Sequence, residues 1–211
     1  ELMENSIDAG ATAITVEIKN GGISYIRITD NGKGIAPDDM EIAFERHATS
    51  KIRKAEDLET VKSMGFRGEA LASIAAISKV EMTSKYIENE IGYKVEVEGG
   101  TIKNKEEAGC PKGTTIIITD LFFNTPVRYK FLKQDATESK YIKNWVQKAA
   151  LANTNISFGL YIDGKQVFKS TGNGKIEDII YILYGKQIQE NIIKVDYKYN
   201  NMKVTGVIGN T

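Results

Sequence analysis

Residues 25–35 read YIRITDNGKGI and join an alternating apolar run to a glycine-containing turn. Ile26 and Ile28 fall on one face of the run, as a half-buried β-strand requires. The strand ends at Asp30, and two glycines then allow the backbone to turn and to lie close to another group. A carboxylate in this position can bind a small polar ligand, whereas the Asn-Gly pair by itself favours a type I′ hairpin turn. Both interpretations fit this stretch when it is considered alone.

The residues before this strand predict a helix. The sequence ELMENSIDA at 1–9 has apolar side chains at helical spacing, and Gly10 is a suitable C-terminal stop. Glu1 and Asn5 are four residues apart and therefore share one face of that helix. Such a pair is typical of a solvated polar face. It can also place a water-activating carboxylate beside an amide oxygen that binds a hard cation such as Mg²⁺.

A long polar segment at 47–67 follows the glycine turn. It is rich in small polar and basic residues and has weak periodicity, which is typical of a functional or mobile loop. It ends at GFRG, residues 65–68, just before a helical run, and glycines at a helix N-terminus suit phosphate binding. This is a weak signal by itself, because the Lys-Ser or Lys-Thr of a P-loop is missing. His47 is the only histidine and is interpreted as structural.

The composition excludes several classes of protein. The chain has 211 residues, of which 41% are hydrophobic and 27% charged, as in ordinary globular proteins. Lys and Arg together number 28, as do Asp and Glu, so no overall field attracts nucleic acid or an anionic membrane. The single cysteine, Cys110, excludes an internal disulfide framework and a cysteine-cluster metal site. We find no signal peptide and no apolar run long enough to span a bilayer.

Periodicity and turn residues predict the remaining elements. Residues 114–120 are almost continuously β-branched and predict a central strand covered on both faces. Gly113 and Thr114 at its start either allow close approach of a ligand or simply begin the strand. Thr137 is predicted to cap a helix that ends near residue 151. The other predicted strands are 13–19, 79–84, 93–98, 156–162, 166–169, 192–197 and 202–208, and the other predicted helices are 37–46, 69–77, 127–132 and 176–184.

Taken in order, these motifs resemble the ATP-binding fold shared by type II topoisomerases, Hsp90 chaperones, sensor histidine kinases and MutL-type mismatch repair proteins. The amino-acid sequence of these motifs most closely resembles the MutL family. The matching stretches are closely spaced up to residue 132, and the resemblance is looser beyond it. The stretches that carry the resemblance are ELMENSIDAGA at 1–11, DNGKGI at 30–35, RHATSKI at 46–52, GFRGEALASI at 65–74 and DLFFNTPVRYKFL at 120–132.

The resemblance implies an α/β (α+β) sandwich of the GHKL, or Bergerat, type. In this fold helices cover one face of a mixed, mostly antiparallel sheet. Residues 1–185 are expected to form the ATPase domain, and residues 186–211 to begin a truncated second domain similar to the ribosomal protein S5 domain 2-like transducer domain. Residues that precede Glu1 in relatives are absent, and such a fragment is expected to bind nucleotide and to turn it over slowly.

The resemblance also implies a Mg²⁺-dependent ATPase and assigns a role to each matching residue. Glu1 is the expected general base for attack of water on the γ-phosphate of ATP, and Asn5 is the expected Mg²⁺ ligand. Asp30 is expected to accept a hydrogen bond from the adenine amino group, and Thr114 to support the same edge. The other expected nucleotide contacts are Gly32 and Gly34, which make room for the base, Ile35 beside them, and the residues that fold over the phosphates, Thr49, Ser50, Lys51, Gly65, Phe66, Arg67, Gly68 and Glu69.

The biology implied by the resemblance is DNA mismatch repair. ATP is expected to order the lid and to close a homodimer that signals between a mismatch-recognition protein and a downstream repair nuclease or helicase. Weak non-specific DNA binding and a bacterial, cytoplasmic location without membrane contact are also expected. One alternative is a DNA-binding scaffold with a structural nucleotide site, supported by the lysines of residues 133–148. A sensor-type kinase is disfavoured, because Glu1 offers a base for water and no phosphoacceptor histidine domain is present.

Overall fold

The computed structural model describes residues 1–45 and 69–210. Its seven described helices are α1 Leu2–Asp8, α2 Asp39–Ile42, α3 Ala70–Ala75, α4 Pro126–Tyr129, α5 Asp135–Ala152, α6 Ile176–Tyr184 and α7 Lys186–Gln189. Its ten described strands are β1 Ala13–Lys19, β2 Tyr25–Asp30, β3 Lys79–Lys85, β4 Gly92–Glu98, β5 Thr101–Ala108, β6 Gly113–Thr119, β7 Ser157–Ile162, β8 Lys165–Lys169, β9 Ile192–Tyr199 and β10 Met202–Gly209. Within these ranges no helix is long and apolar enough to cross a membrane.

Eight strands form one mixed sheet in the order β5-β4-β3-β6-β2-β1-β7-β8. The pair β1 and β7 is parallel, and the other neighbours are antiparallel. A 3-10 turn at Asn20–Gly22 joins β1 to β2, and Asp163 and Gly164, both at positive φ, join β7 to β8. Positive φ at both positions is what a tight hairpin turn of type I′ needs. The predicted mixed, mostly antiparallel sheet is thus confirmed.

Register aligns the inward side chains of neighbouring strands into rows across the sheet. In one row Val16 pairs with Ile28, Ile28 with Ile116, and Ile116 with Met82. Three of these four side chains are buried, and Ile116 packs against them. Each full burial of such a side chain contributes about 1.5–3 kcal/mol relative to exposure. One face of the sheet therefore forms the core.

Helices cover this core face. Five of them contribute buried side chains to the same cluster as the strands, namely Leu2 from α1, Met40 from α2, Ala75 from α3, Val146 from α5 and Ile179 from α6. The strand residues follow an alternating pattern and these helix residues lie on apolar stripes, so each element has one face to bury. The predicted layer of helices on one face is confirmed.

The opposite face of the sheet is polar around β6. Ile117, in the middle of β6, is half-buried and pairs with Arg27 of β2 and Glu81 of β3. Arg27 also forms an ion pair with Glu17 of β1, at 2.6 Å between Nη2 and Oε2. The prediction that residues 114–120 are covered on both faces is therefore wrong. Strand β6 is central in the sheet, but its second face carries Thr and Ile residues among charged neighbours.

Two further elements differ from the prediction. Strand β5 was not predicted, because it is an edge strand with seven of its eight side chains exposed and carries no apolar alternation. Helix α5 begins at Asp135 with Gln134 at its N-cap, so Thr137 is not the cap. The amides of Thr137 and Glu138 both donate to the Gln134 carbonyl, which starts the helix one turn earlier than predicted.

Strands β9 and β10 form a separate two-stranded antiparallel sheet. An ion pair between Lys194 of β9 and Glu177 connects this hairpin to α6. The hairpin exposes several large apolar side chains, among them Tyr197 and Met202. The predicted domain boundary at residue 185 falls between α6 and α7 and stays a prediction.

Candidate functional site

Three polar side chains lie side by side on the core face of the sheet, near the ends of the neighbouring strands β2, β6 and β3. Asp30 pairs with Thr114, and Thr114 pairs with Ser84, directly beyond the apolar row of Ile28 and Met82. Asp30 is 9% exposed, Thr114 8% and Ser84 1%. Buried polar groups persist only where hydrogen bonds replace their contacts with water. The bonds at this edge therefore define the site.

The Asp30 carboxylate accepts three hydrogen bonds from protein groups. Oδ1 accepts the backbone N–H of Gly32 at 2.9 Å and that of Thr114 at 3.3 Å, and Oδ2 accepts the Ser6 hydroxyl at 2.7 Å. A carboxylate offers about four lone-pair positions. One acceptor position therefore remains, on Oδ2, for a donor from outside the chain.

Ser84 ties the glycine turn to β6. Its hydroxyl oxygen accepts the backbone N–H of Ile35 at 2.9 Å and lies 3.0 Å from the Gly113 carbonyl. It also lies 2.9 Å from Thr114 Oγ1, where either hydroxyl can be the donor. These bonds hold Ile35 and Thr114 in fixed positions around Asp30.

Helix α1, which contacts Asp30 through Ser6, also carries Asn5 and has Glu1 at its N-cap. The Asn5 amide donates to the Glu1 carbonyl at 2.9 Å, which confirms that the two residues are one helical turn apart. Both residues are exposed, whereas Ser6, the next residue, is buried against Asp30. Five residues of helix rise about 7.5 Å, so Glu1 lies about that far along the helix from the residue that contacts Asp30.

Asn31 anchors the turn to the loop after α1. Its Oδ1 accepts the backbone N–H groups of Thr12 and Ala13 at 2.8 and 2.9 Å, and its Nδ2 donates to Thr12 Oγ1 at 2.8 Å. The chain then continues through Lys33, whose amide donates to the Ala9 carbonyl at 2.9 Å. The Asn-Gly pair is therefore not a hairpin turn between consecutive strands, and Asn31 has a structural role.

The two glycines of the turn are required by protein contacts. A Cβ at Gly32 would lie 2.9 Å from the Cβ and carbonyl oxygen of Ala9. Gly34 has φ +75°, and a Cβ there would lie 2.1 Å from the Lys85 carbonyl oxygen. A side chain at either position would collide with backbone. Their predicted role in making room for a base stays a prediction.

Helix α3 follows the polar segment and is held at its C-terminal end by residues 120–124. The amide of Phe122 donates to the Ile77 carbonyl at 2.7 Å, and Asn124 Nδ2 donates to the Ala76 carbonyl at 2.8 Å. Glu69 is exposed at the N-terminal end of α3. The other predicted phosphate contacts lie outside the described residues, namely Thr49, Ser50, Lys51, Gly65, Phe66, Arg67 and Gly68, as does His47.

A hollow of about 560 Å³ lies between α1, α5 and the sheet. Its lining is mostly hydrocarbon, from residues such as Met3, Ile142 and Trp145, although Glu1 lies at it as well. Burying a polyphosphate against such walls would be costly. The buried polar cluster of Asp30, Thr114 and Ser84 is therefore the candidate site.

The donor set limits what metal this site can hold. Among residues 1–45 and 69–210, no group of three or more His, Cys, Asp or Glu side chains could bind an ion. Asn5 offers one exposed amide oxygen at the Glu1 end of the site. Mg²⁺ in nucleotide sites is commonly held by one or two protein ligands together with phosphate oxygens and water. Asn5 fits that pattern only if a bound phosphate supplies the remaining ligands.

Taken together, the geometry offers an acceptor for a small donor at Asp30 and a carboxylate about one and a half helical turns away at Glu1. The sequence predicted Glu1, Asn5, Asp30 and Thr114 but not Ser6 or Ser84. The only sequence signal for either serine is that its position faces the core. Ser84 continues the inward positions of Val80 and Met82 on β3, and Ser6 lies four residues after the buried Leu2 on α1.

Three comparisons bear on this site. Residues 1–124 match the family model of histidine kinase-, DNA gyrase B- and HSP90-like ATPases. The DNA mismatch repair protein MutL of Agathobacter rectalis is 51% identical over 209 residues, and that of Halothermothrix orenii is 48% identical over 208. Each of these alignments covers 99% of this chain but 32% of the relative, so the chain spans about a third of these relatives' length.

Solved structures give the same result. The Aquifex aeolicus MutL ATPase domain complexed with ADP superimposes with a TM-score of 0.73 at 31% identity, and the match covers 93% of this chain and 69% of that one. The N-terminal domain of a DNA repair protein superimposes with a TM-score of 0.79 at 28% identity, over 98% of this chain and 64% of that one.

Proposed function

The chain belongs to the histidine kinase-, DNA gyrase B- and HSP90-like ATPases, and within them to the MutL ATPase domains. We propose that the site around Asp30 binds the adenine of ATP and that Glu1 activates water for hydrolysis. The observation that carries this proposal is the hydrogen-bonding state of Asp30. Its buried carboxylate has one acceptor position left after three bonds to protein groups.

Adenine complements that single position. Its exocyclic amino group is a donor, and a hydrogen bond to a carboxylate is stronger than one between neutral groups. A 6-oxo base such as guanine or hypoxanthine would place an acceptor against the same oxygen and leave Asp30 unpaired. The pocket therefore selects adenine by hydrogen bonding, which gives larger discrimination than shape alone.

Glu1 and Asn5 act at the other end of the bound nucleotide. Glu1 is exposed at the N-cap of α1, where it can hold and deprotonate a water that attacks the γ-phosphate. Asn5 would hold Mg²⁺ through its amide oxygen, one turn away. When bound, Mg²⁺ neutralises charge on the phosphate oxygens. The residues of the chain contribute mainly positioning, which is how proteins accelerate this kind of transfer.

The wider role in the whole protein is also a proposal. ATP binding would order residues 46–52 and 65–69 over the phosphates and close a homodimer that couples a mismatch-recognition protein to a repair nuclease or helicase. Residues 186–211 would begin a second, transducer-type domain. The lysines of α5 would give weak, non-specific contact with DNA. The names of the MutL relatives and the ATPase family membership support these roles.

Glu1→Gln tests the hydrolytic step. Because the amide cannot accept a proton from water, we expect Mg²⁺-ATP to bind with nearly unchanged affinity while single-turnover hydrolysis falls by about 100-fold or more. Glu4→Gln is the matched control, since it changes a neighbouring carboxylate in the first turn of the same helix. If Glu1→Gln hydrolyses ATP at the wild-type rate, the role of Glu1 is wrong.

Asn5→Ala tests the metal site through binding rather than activity. In the wild type, EDTA should weaken binding of a non-hydrolysable ATP analogue, because the charge of the phosphates is then unshielded. For Asn5→Ala, the affinity for the analogue measured with Mg²⁺ should be close to the affinity that the wild type shows in EDTA. Adding EDTA to the variant should then change its affinity little. An equal response of both proteins to EDTA would exclude Asn5 as a ligand.

A further inference from the structure

We propose that Ser6 is a positioning residue that fixes Asp30 for recognition of an exocyclic amino group, an inference that rests on the proposed binding of adenine at Asp30. Ser6 is the only described side chain that bonds to Oδ2 of Asp30, and Oδ2 carries the remaining acceptor position. Ser6 is 4% exposed, so water does not readily replace its hydroxyl.

The direction of the Ser6 hydrogen follows from its two possible acceptors. The hydroxyl oxygen lies 2.7 Å from Asp30 Oδ2 and 3.3 Å from the Leu2 carbonyl oxygen. A short bond to a carboxylate is stronger than a long one to a carbonyl. In an α-helix the Leu2 carbonyl also accepts the amide four residues later, so it does not need the hydroxyl. Ser6 therefore donates to Asp30.

This bond acts on the other carboxylate oxygen, Oδ2. A turn about the bond from Cβ to the carboxyl carbon moves both oxygens, so the Gly32 and Thr114 amides at Oδ1 resist it, and the Ser6 bond, the shortest of the three at 2.7 Å, adds to that restraint. The Ser6 bond fixes the second oxygen and occupies one of its two lone-pair directions. One lone-pair direction of Oδ2 then remains for a donor from a ligand.

The same bond connects the two halves of the site. Ser6 lies on α1, one residue after the proposed Mg²⁺ ligand Asn5 and five after Glu1, while Asp30 ends β2. One hydroxyl therefore links the residue proposed to select the base directly to the helix proposed to act on the phosphates. No other described side-chain hydrogen bond joins α1 to Asp30.

The test compares two nucleotides that differ only in the amino group. ADP and purine riboside diphosphate, which lacks the 6-amino group, are titrated against the wild type and Ser6→Ala by calorimetry. We expect Ser6→Ala to weaken ADP about tenfold, equivalent to one ordinary hydrogen bond, and to change the affinity for the second nucleotide less than twofold. Ser6→Thr, which retains the hydroxyl, should restore ADP binding to within about threefold of the wild type.

Ser78→Ala is the matched control. Ser78 is also fully buried and donates to the carbonyl four residues earlier, Ile74, at 2.6 Å, but it lies away from Asp30. Its loss should leave both nucleotides unaffected, and urea denaturation of each variant verifies that the fold is retained. Equal weakening of both nucleotides by Ser6→Ala, or no weakening of ADP, would overturn the proposal. A wild type that does not prefer ADP would instead overturn the role of Asp30 itself.

Discussion

Asp30→Asn would reverse the hydrogen-bonding character of the pocket while preserving its shape. The asparagine oxygen can take the place of Oδ1 and accept the amides of Gly32 and Thr114. Its Nδ2 then replaces Oδ2, and the Ser6 hydroxyl can turn to accept from it and donate to the Leu2 carbonyl at 3.3 Å. Every protein partner is satisfied, so the fold should persist. The position that faced the ligand as an acceptor becomes a donor.

The magnitude follows from that change. The substitution removes the hydrogen bond from the adenine amino group to a charged acceptor, which contributes about 1.5–3 kcal/mol. It also leaves two donors, the adenine amino group and Asn Nδ2, facing each other at an additional cost of about 1–3 kcal/mol. Together these amount to about 2.5–6 kcal/mol, or a loss of adenine nucleotide affinity of about 60-fold to 20,000-fold. Inosine diphosphate carries an oxygen in place of the amino group, so its affinity should rise in the variant.

Calorimetric titration of ADP and inosine diphosphate into both proteins measures the predicted inversion. The wild type should prefer ADP, and Asp30→Asn should prefer inosine diphosphate, with nearly equal urea midpoints for the two proteins. If the variant binds ADP within about threefold of the wild type, Asp30 does not contact the amino group and the reasoning fails.

Two other perturbations test the surrounding structure. Gly34→Ala should lower the free energy of unfolding by about 2–5 kcal/mol, because the new Cβ would collide with the Lys85 carbonyl oxygen and the backbone there has positive φ. Gly10→Ala is the control: Gly10 has a similar φ of +73° but nothing within 4 Å of the new Cβ, so only the backbone strain of about 1–2 kcal/mol is expected. Equal losses in urea denaturation would exclude the close contact at Gly34 as the cause. The hydrogen bond from the Lys194 ammonium lowers the pKa of Glu177 in the folded protein. The pair therefore stabilises the fold at pH values above the pKa of glutamate in the unfolded chain. This stabilisation is lost as the pH falls through the lower pKa that Glu177 has in the folded protein. Lys194→Met should therefore lose about 1 kcal/mol or less at neutral pH and nothing in acid, and a loss that is the same at both pH values would contradict the assignment.

The fold was predictable where side chains alternate clearly. Strands β1 and β2 begin and end at the predicted residues, since Ile14, Val16 and Ile18 face the core while polar residues face outward. Strand β5 was not predictable in this way, because it is bonded to β4 by its backbone and buries almost no side chain. Periodicity reports burial, and an edge strand without burial has no such pattern.

The candidate site was predictable only in part, for a different reason. Glu1, Asn5, Asp30 and Thr114 were predicted from the order of motifs, and their roles stay predictions. Ser6 was not, because a serine four residues after Leu2 has no local feature that reveals a partner 24 residues away. The contact depends on how α1 packs against the end of β2, and sequence spacing does not encode that packing. Ser84 depends on the register of β3 against β6 in the same way.

The most direct test of the account is a crystal structure of this chain with Mg²⁺ and a non-hydrolysable ATP analogue. We expect the adenine amino nitrogen about 2.7–3.2 Å from Oδ2 of Asp30 and the γ-phosphate at the Glu1 end of α1. A bound nucleotide whose base contacts neither Asp30 nor Thr114 would contradict it.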